Sequence, residues 1–125
     1  MIWLSKKQII SLHSQLINET GGSYGIRDEK LLESAIYSPF QTFESVNLFP
    51  SAVAKIARLS CGLTQNHPFI DGNKRIGAFT MLILLELNNI SIDYSQEELV
   101  NLFLDLASNK ISYEHLHDWI ISHIV

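Results

Sequence analysis

Residues 67–75 read His-Pro-Phe-Ile-Asp-Gly-Asn-Lys-Arg, and no other stretch of the 125-residue chain gathers so many groups suited to chemistry. His67 carries the side chain whose ordinary pKa best suits proton transfer near neutral pH. Asp71, four residues on, supplies a hard anionic oxygen, a natural ligand for magnesium carried by a nucleotide. Gly72 and Asn73 tolerate unusual backbone angles and let the chain pass close to a ligand. A helix starting there turns its free amide N–H groups and the positive end of its dipole toward that ligand. Lys74 adds a point charge and Arg75 a forked donor, both suited to phosphate oxygens. The parts sum to a base, a metal ligand and an anion cradle. The same residue types would also make an ordinary turn between two helices, with Phe69 pointing inward as its anchor.

The elements that must hold this loop are marked by capping residues. Ser5 with Gln8 makes a capping box for a helix over about residues 6–18, which Gly21, Gly22 and Gly25 bring to an end. Asp28 caps a short helix through Leu31, Leu32 and Ala35 that stops before Pro39. Residues 39–50 have no helical period and hold Phe40, Phe43, Val46 and Phe49 between polar residues, which fits an extended flap or a short hairpin. Ser51 opens a third helix, with Val53, Ile56, Ala57, Ser60 and Leu63 at helical spacing, running toward His67. Pro68 pushes His67 out of the helical region and ends that element. After the Gly72-Asn73 turn a strongly apolar helix runs to about Asn88. Ser95 with Glu98 boxes a helix carrying Leu99, Leu102, Phe103 and Leu106, and Ser112 starts a last one with Leu116, Trp119, Ile120 and His123. Strand signals are scarce. The expectation is an all-α single domain over residues 1–125, a helical bundle around the central apolar helix with a short flap or hairpin.

Bulk composition narrows the partners. Hydrophobic content of 46% and charged content of 18% are those of a globular protein. The longest apolar run, residues 76–87, is broken by Gly77, Thr80 and Glu86 and falls short of the roughly 20 residues that a membrane span needs. No apolar stretch precedes a small-residue cleavage site at the N-terminus, and the single Cys61 lies in an apolar helical pattern, so a reduced cytoplasmic setting is expected. Thirteen Asp and Glu outnumber nine Lys and Arg, giving a net charge of −4, and no basic run exceeds a pair. Nucleic acid is an unsuitable main partner for such a chain; the basic pair Lys74-Arg75 points to a small anionic ligand.

The order His-x-Phe-x-Asp-Gly-Asn-Lys-Arg resembles the signature of the Fic/Doc family, and its Asn-Lys-Arg ending resembles the Doc (death-on-curing) branch. The likeness extends to Trp3-Leu4-Ser5 opening a helix with His13, to Gly21-Gly22 followed by Gly25-Ile26-Arg27-Asp28, and to Leu32-Glu33-Ser34-Ala35 before Pro39. The resemblance implies that His67 is the general base on a target hydroxyl and that Asp71 holds Mg2+. It implies that Gly72, Asn73 and Arg75 bind the phosphates of ATP. Larger Fic relatives have glycine at the position of Lys74 and transfer AMP. Doc-type proteins have lysine there, which would fill the place of one phosphate in the AMP-transfer pose, so that ATP binds reversed and the γ-phosphoryl group is transferred. Lys74 is therefore the residue on which the reaction type turns. AMP transfer with Lys74 tolerated, and a catalytically idle antitoxin-binding module, are the alternatives. Gly72 stands where that branch frequently has alanine, a change that loosens the turn and removes no functional group.

The implied substrate is a Ser or Thr hydroxyl of a translation factor of the elongation factor Tu type, and residues 39–50 correspond to the flap that docks the target as an added strand. Core packing is at least as good an account of Phe40 and Phe43. Many Fic proteins restrain themselves with a Ser/Thr-x-x-x-Glu helix; no glutamate here has Ser or Thr four residues before it, so the implied restraint is an antitoxin acting in trans, seated in a groove. His115, His117 and His123 lack the i, i+4 spacing of zinc helices and read as solvated or capping groups. Cys61 reads as inert packing.

Overall fold

The computed structural model describes all residues 1–125. Six helices follow one another: α1 (Lys6–Thr20), α2 (Glu29–Tyr37), α3 (Ala52–Gln65), α4 (Asn73–Leu87), α5 (Gln96–Ala107) and α6 (Tyr113–His123). Between α2 and α3 come one 3-10 turn (Ser38–Phe40) and a hairpin of β1 (Thr42–Phe43) and β2 (Val46–Asn47). Five helices begin where a side-chain oxygen of Ser5, Asp28, Ser51, Ser95 or Ser112 accepts the backbone N–H three residues on. Such a cap stabilises a helix by about 1 kcal/mol. The sixth, α4, begins at Gly72 with no side-chain cap at all.

The apolar α4 packs at the centre as expected, and α3 is its partner, with buried residues all around its circumference. The two backbones come close because Gly77 has no Cβ; a methyl there would lie 2.0 Å from Thr64 Oγ1 and 3.2 Å from the Ser60 carbonyl. Ser60 Oγ donates to the Gly77 carbonyl at 2.8 Å across this contact. One core of 22 buried hydrophobic residues joins all six helices and the loop residue Phe69. Lys6 at the start of α1 pairs with Glu29 and Glu33 of α2 and ties those helices at the surface. No helix is long and apolar enough to cross a membrane.

Within residues 39–50 the hairpin forms at 42–47, with Thr42 opposite Asn47 and Phe43 opposite Val46, turning at Glu44 and Ser45, which both have positive φ. Core packing does not hold for Phe40 or Phe43. Phe43, on the two-stranded hairpin, is 67% exposed and Phe40, in the 3-10 turn before it, 45%. Phe40 instead meets the ring edge of Trp3, centroids 5.2 Å apart.

Candidate active site

The loop between α3 and α4 is built by contacts from far upstream. At its start His67 has φ +50°. It leaves the right-handed helical region ahead of Pro68 as the sequence predicts, but enters the left-handed region instead of the extended one. Arg27 holds it there: its Nε donates to the His67 carbonyl at 2.6 Å and its Nη2 to that of Asn66 at 3.0 Å. The N–H groups of Arg27 and Asp28 both donate to the Pro68 carbonyl, and the Ile70 N–H donates to Gly25. Ile26 and Phe69 thereby form an isolated antiparallel bridge. Phe69 is buried, as its type predicts, while the neighbouring His67 and Ile70 are exposed. The arrangement sinks one anchor and leaves an imidazole at the surface.

Asp71 is held as an anion. Its Oδ2 accepts from the Ser23 N–H at 3.2 Å, and its Oδ1 accepts from the Gly72 N–H at 2.8 Å and from Arg75 Nη2 at 3.5 Å. The Ser23 and Gly72 amides, in that order, hold its carboxyl below the ordinary value of 3.8, with the charge of Arg75 adding to them. Gly22 lets the upstream loop come this near, since a Cβ there would sit 2.6 Å from Asp71 Oδ2. The Asp71 side chain remains 47% exposed, so oxygen lone pairs face outward as a hard metal ligand requires. No group of three or more His, Cys, Asp or Glu side chains is placed to hold a metal ion.

Gly72 takes φ +77°, where glycine is favoured and alanine strained, so glycine suits this turn rather than loosening it. The amides of Asn73, Lys74 and Arg75 then open α4 with no intramolecular acceptor. The Asn73 side chain is engaged within the loop, bonding both the N–H and the carbonyl of Phe69. What Asn73 offers a ligand is its backbone N–H. Arg75 lies along the wall, where its Nη1 donates to Thr20 Oγ1 at 2.6 Å and to the Gly21 carbonyl at 2.7 Å. Lys74 is exposed and makes no ion pair or side-chain hydrogen bond.

His67, Asp71, Gly72, Asn73, Lys74 and Arg75 all line one cleft of about 510 Å³, completed by Ile70 and Ala107. That is room for a nucleotide-sized ligand. Lys74 and Arg75 also border a second, apolar groove of about 390 Å³ between α1, α4 and α5, floored by residues such as Leu16, Phe79, Leu99 and Phe103. The sequence pattern brought out none of Thr20, Ser23 or Arg27 as site residues, because each acts across 40 or more positions of chain. His115, His117 and His123 do not line the cleft: His123 stacks on Trp119 and meets Glu98, and His117 pairs with Asp118.

The family model described as Fic/DOC family matches residues 3–85, a span that includes α1 to α3, the whole loop and most of α4. A curated relative, Toxin Doc of Mycolicibacterium smegmatis, is 30% identical over 90 residues, covering 70% of this chain and 69% of the relative.

Proposed function

Because the chain belongs to the Fic/DOC family, we propose that it is a growth-arresting toxin kinase that moves the γ-phosphoryl group of ATP to a Ser or Thr hydroxyl of a translation factor of the elongation factor Tu type. The observation that carries this reading is the start of α4. Alone among the helices it has no side-chain cap, and its free amides, Asp71 and two cations line one cleft. Leaving a helix start uncapped costs about 1 kcal/mol, which an anion seated there would offset.

The proposed roles follow from position. The exposed His67 imidazole takes the proton of the incoming hydroxyl as it attacks. Asp71, held ionised, would hold the magnesium ion that accompanies ATP through a carboxylate oxygen, and that ion would supply charge neutralisation at the phosphates. Gly72 lets the chain pass close to the phosphates, the free amide of Asn73 and the guanidinium of Arg75 bind phosphate oxygens, and Lys74 sets which end of the triphosphate faces the acceptor. Catalysis is then mostly positioning and charge stabilisation in a fixed site. The exposed edge of the hairpin, with Phe43 and Val46, offers a strand-pairing surface for the target. The apolar groove between α1, α4 and α5 is the seat proposed for an antitoxin segment acting in trans, inside the cytoplasm.

ATP labelled at the α or the γ phosphate, with magnesium and a bacterial lysate, tests the reading. Label reaching protein only from the γ position is the expected result. Transfer only from the α position would establish AMP transfer instead, and no transfer from either would leave a binding module.

A further inference from the structure

We infer that His13, on α1, is a positioning residue of this site: by donating to the Asp71 carbonyl it sets the peptide plane that aims the Asp71 carboxylate into the cleft. The inference rests on the transferase reading only for its effect on rate; the geometry stands apart from it.

His13 is 2% exposed. Its ring lies flat on that of Phe69, centroids 3.8 Å apart and planes within 7°. Its Nε2 is 2.7 Å from the Asp71 carbonyl oxygen. A carbonyl can only accept, so Nε2 must carry the proton, and the tautomer follows from the geometry. The Asp71–Gly72 peptide is trans, so its carbonyl and its N–H point opposite ways. With the carbonyl drawn toward α1 by His13, the Gly72 N–H is turned to the other side, where it donates to Asp71 Oδ1 at 2.8 Å. The same peptide carries Gly72 into φ +77° and starts α4. Rotating that peptide would take the N–H off the carboxylate and move the first free amides of α4. His13 thus reaches 58 residues along the chain to hold a peptide unit that touches both the proposed metal ligand and the anion cradle.

A buried histidine stacked on a phenylalanine is also plain packing, and two variants separate the roles. His13→Phe keeps a flat ring on Phe69 and loses the donor. His13→Gln loses the ring but can place an amide N–H near the position of Nε2. The positioning role predicts that His13→Phe lowers kcat for label transfer by about 10- to 100-fold at saturating ATP, the range typical of a group supporting a ligand from behind. His13→Gln should recover to within several-fold of wild type even where its melting temperature is the lower of the two. Equal activity in His13→Phe and wild type would overturn the role, as would loss in both variants that merely tracks their stability.

Two readouts need no activity. Nitrogen-15 NMR of the wild-type ring should show the proton on Nε2; a proton on Nδ1 alone refutes the inference. Exchange of the Gly72 amide should quicken by about tenfold or more in His13→Phe, and unchanged exchange likewise refutes it. Wild-type protein that transfers no label, yet passes both, would sink the transferase reading and leave the positioning role intact.

Discussion

Asn73 and Phe69 grip each other at both ends of one residue: Asn73 Oδ1 accepts from the Phe69 N–H at 3.0 Å, and Asn73 Nδ2 donates to the Phe69 carbonyl at 3.0 Å. The pair closes residues 69–73 into a ring that keeps the Asp71 carboxylate and the start of α4 in fixed relation. Asn73→Ala should leave the Phe69 amide group without partners and destabilise the fold by about 1–3 kcal/mol in urea unfolding. A variant as stable as wild type would mean that the ring is not what holds the loop.

Acid should act on Asp71 late. Its folded-state pKa lies below 3.8, chiefly through the Ser23 N–H and then the Gly72 N–H. A depressed carboxyl contributes stability that is present above its unfolded value and is lost as pH falls through the folded one. Loop contacts should therefore persist at pH 4 and loosen only below 3.8. Carbon-13 NMR of the carboxyl checks this, and a midpoint above 4 would contradict it.

Lys74 is exposed and unpaired, so Lys74→Gly should change stability by no more than about 1 kcal/mol, the helix-propensity difference. Its effect should appear in chemistry. Removing the long cation is expected to shift transferred label from the γ toward the α phosphate of ATP. Unaltered γ transfer in this variant would show that another feature sets the orientation of the nucleotide.

Gly77→Ala tests the contact of α3 with α4. The added methyl would meet Thr64 Oγ1 at 2.0 Å and the Ser60 backbone carbonyl at 3.2 Å. Overpacking of this kind should outweigh the better helix propensity of alanine and destabilise by about 1–3 kcal/mol. A melting temperature equal to or above that of wild type would show that the helices can part freely.

The helices were legible because their starts are local. Ser5 with Gln8, Asp28, Ser51, Ser95 with Glu98, and Ser112 each act on an amide three positions on, and each cap forms as the spacing predicts. That His67, Asp71, Gly72, Asn73, Lys74 and Arg75 share one cleft was legible for a similar reason, since they fall within nine positions. The site's scaffold was not. Arg27 on the His67 carbonyl, Ser23 on Asp71 and Thr20 on Arg75 are pairings across 40 to 55 residues, and nothing in local spacing encodes them. The left-handed His67 was hidden likewise, because the residue before a proline ordinarily prefers extended backbone and the contacts that hold this turn come from the distant segment 25–28.

Lys74 and Arg75 border both the polar cleft and the apolar groove, so the two are not separate surfaces. Whatever fixes these two side chains from one direction alters their availability from the other. Thermodynamic linkage makes that effect reciprocal: if filling the groove weakens nucleotide affinity by some factor, nucleotide weakens the groove's occupant by the same factor. On the proposed roles of cleft and groove, ATP would then set the threshold concentration at which a groove-seated antitoxin segment takes hold.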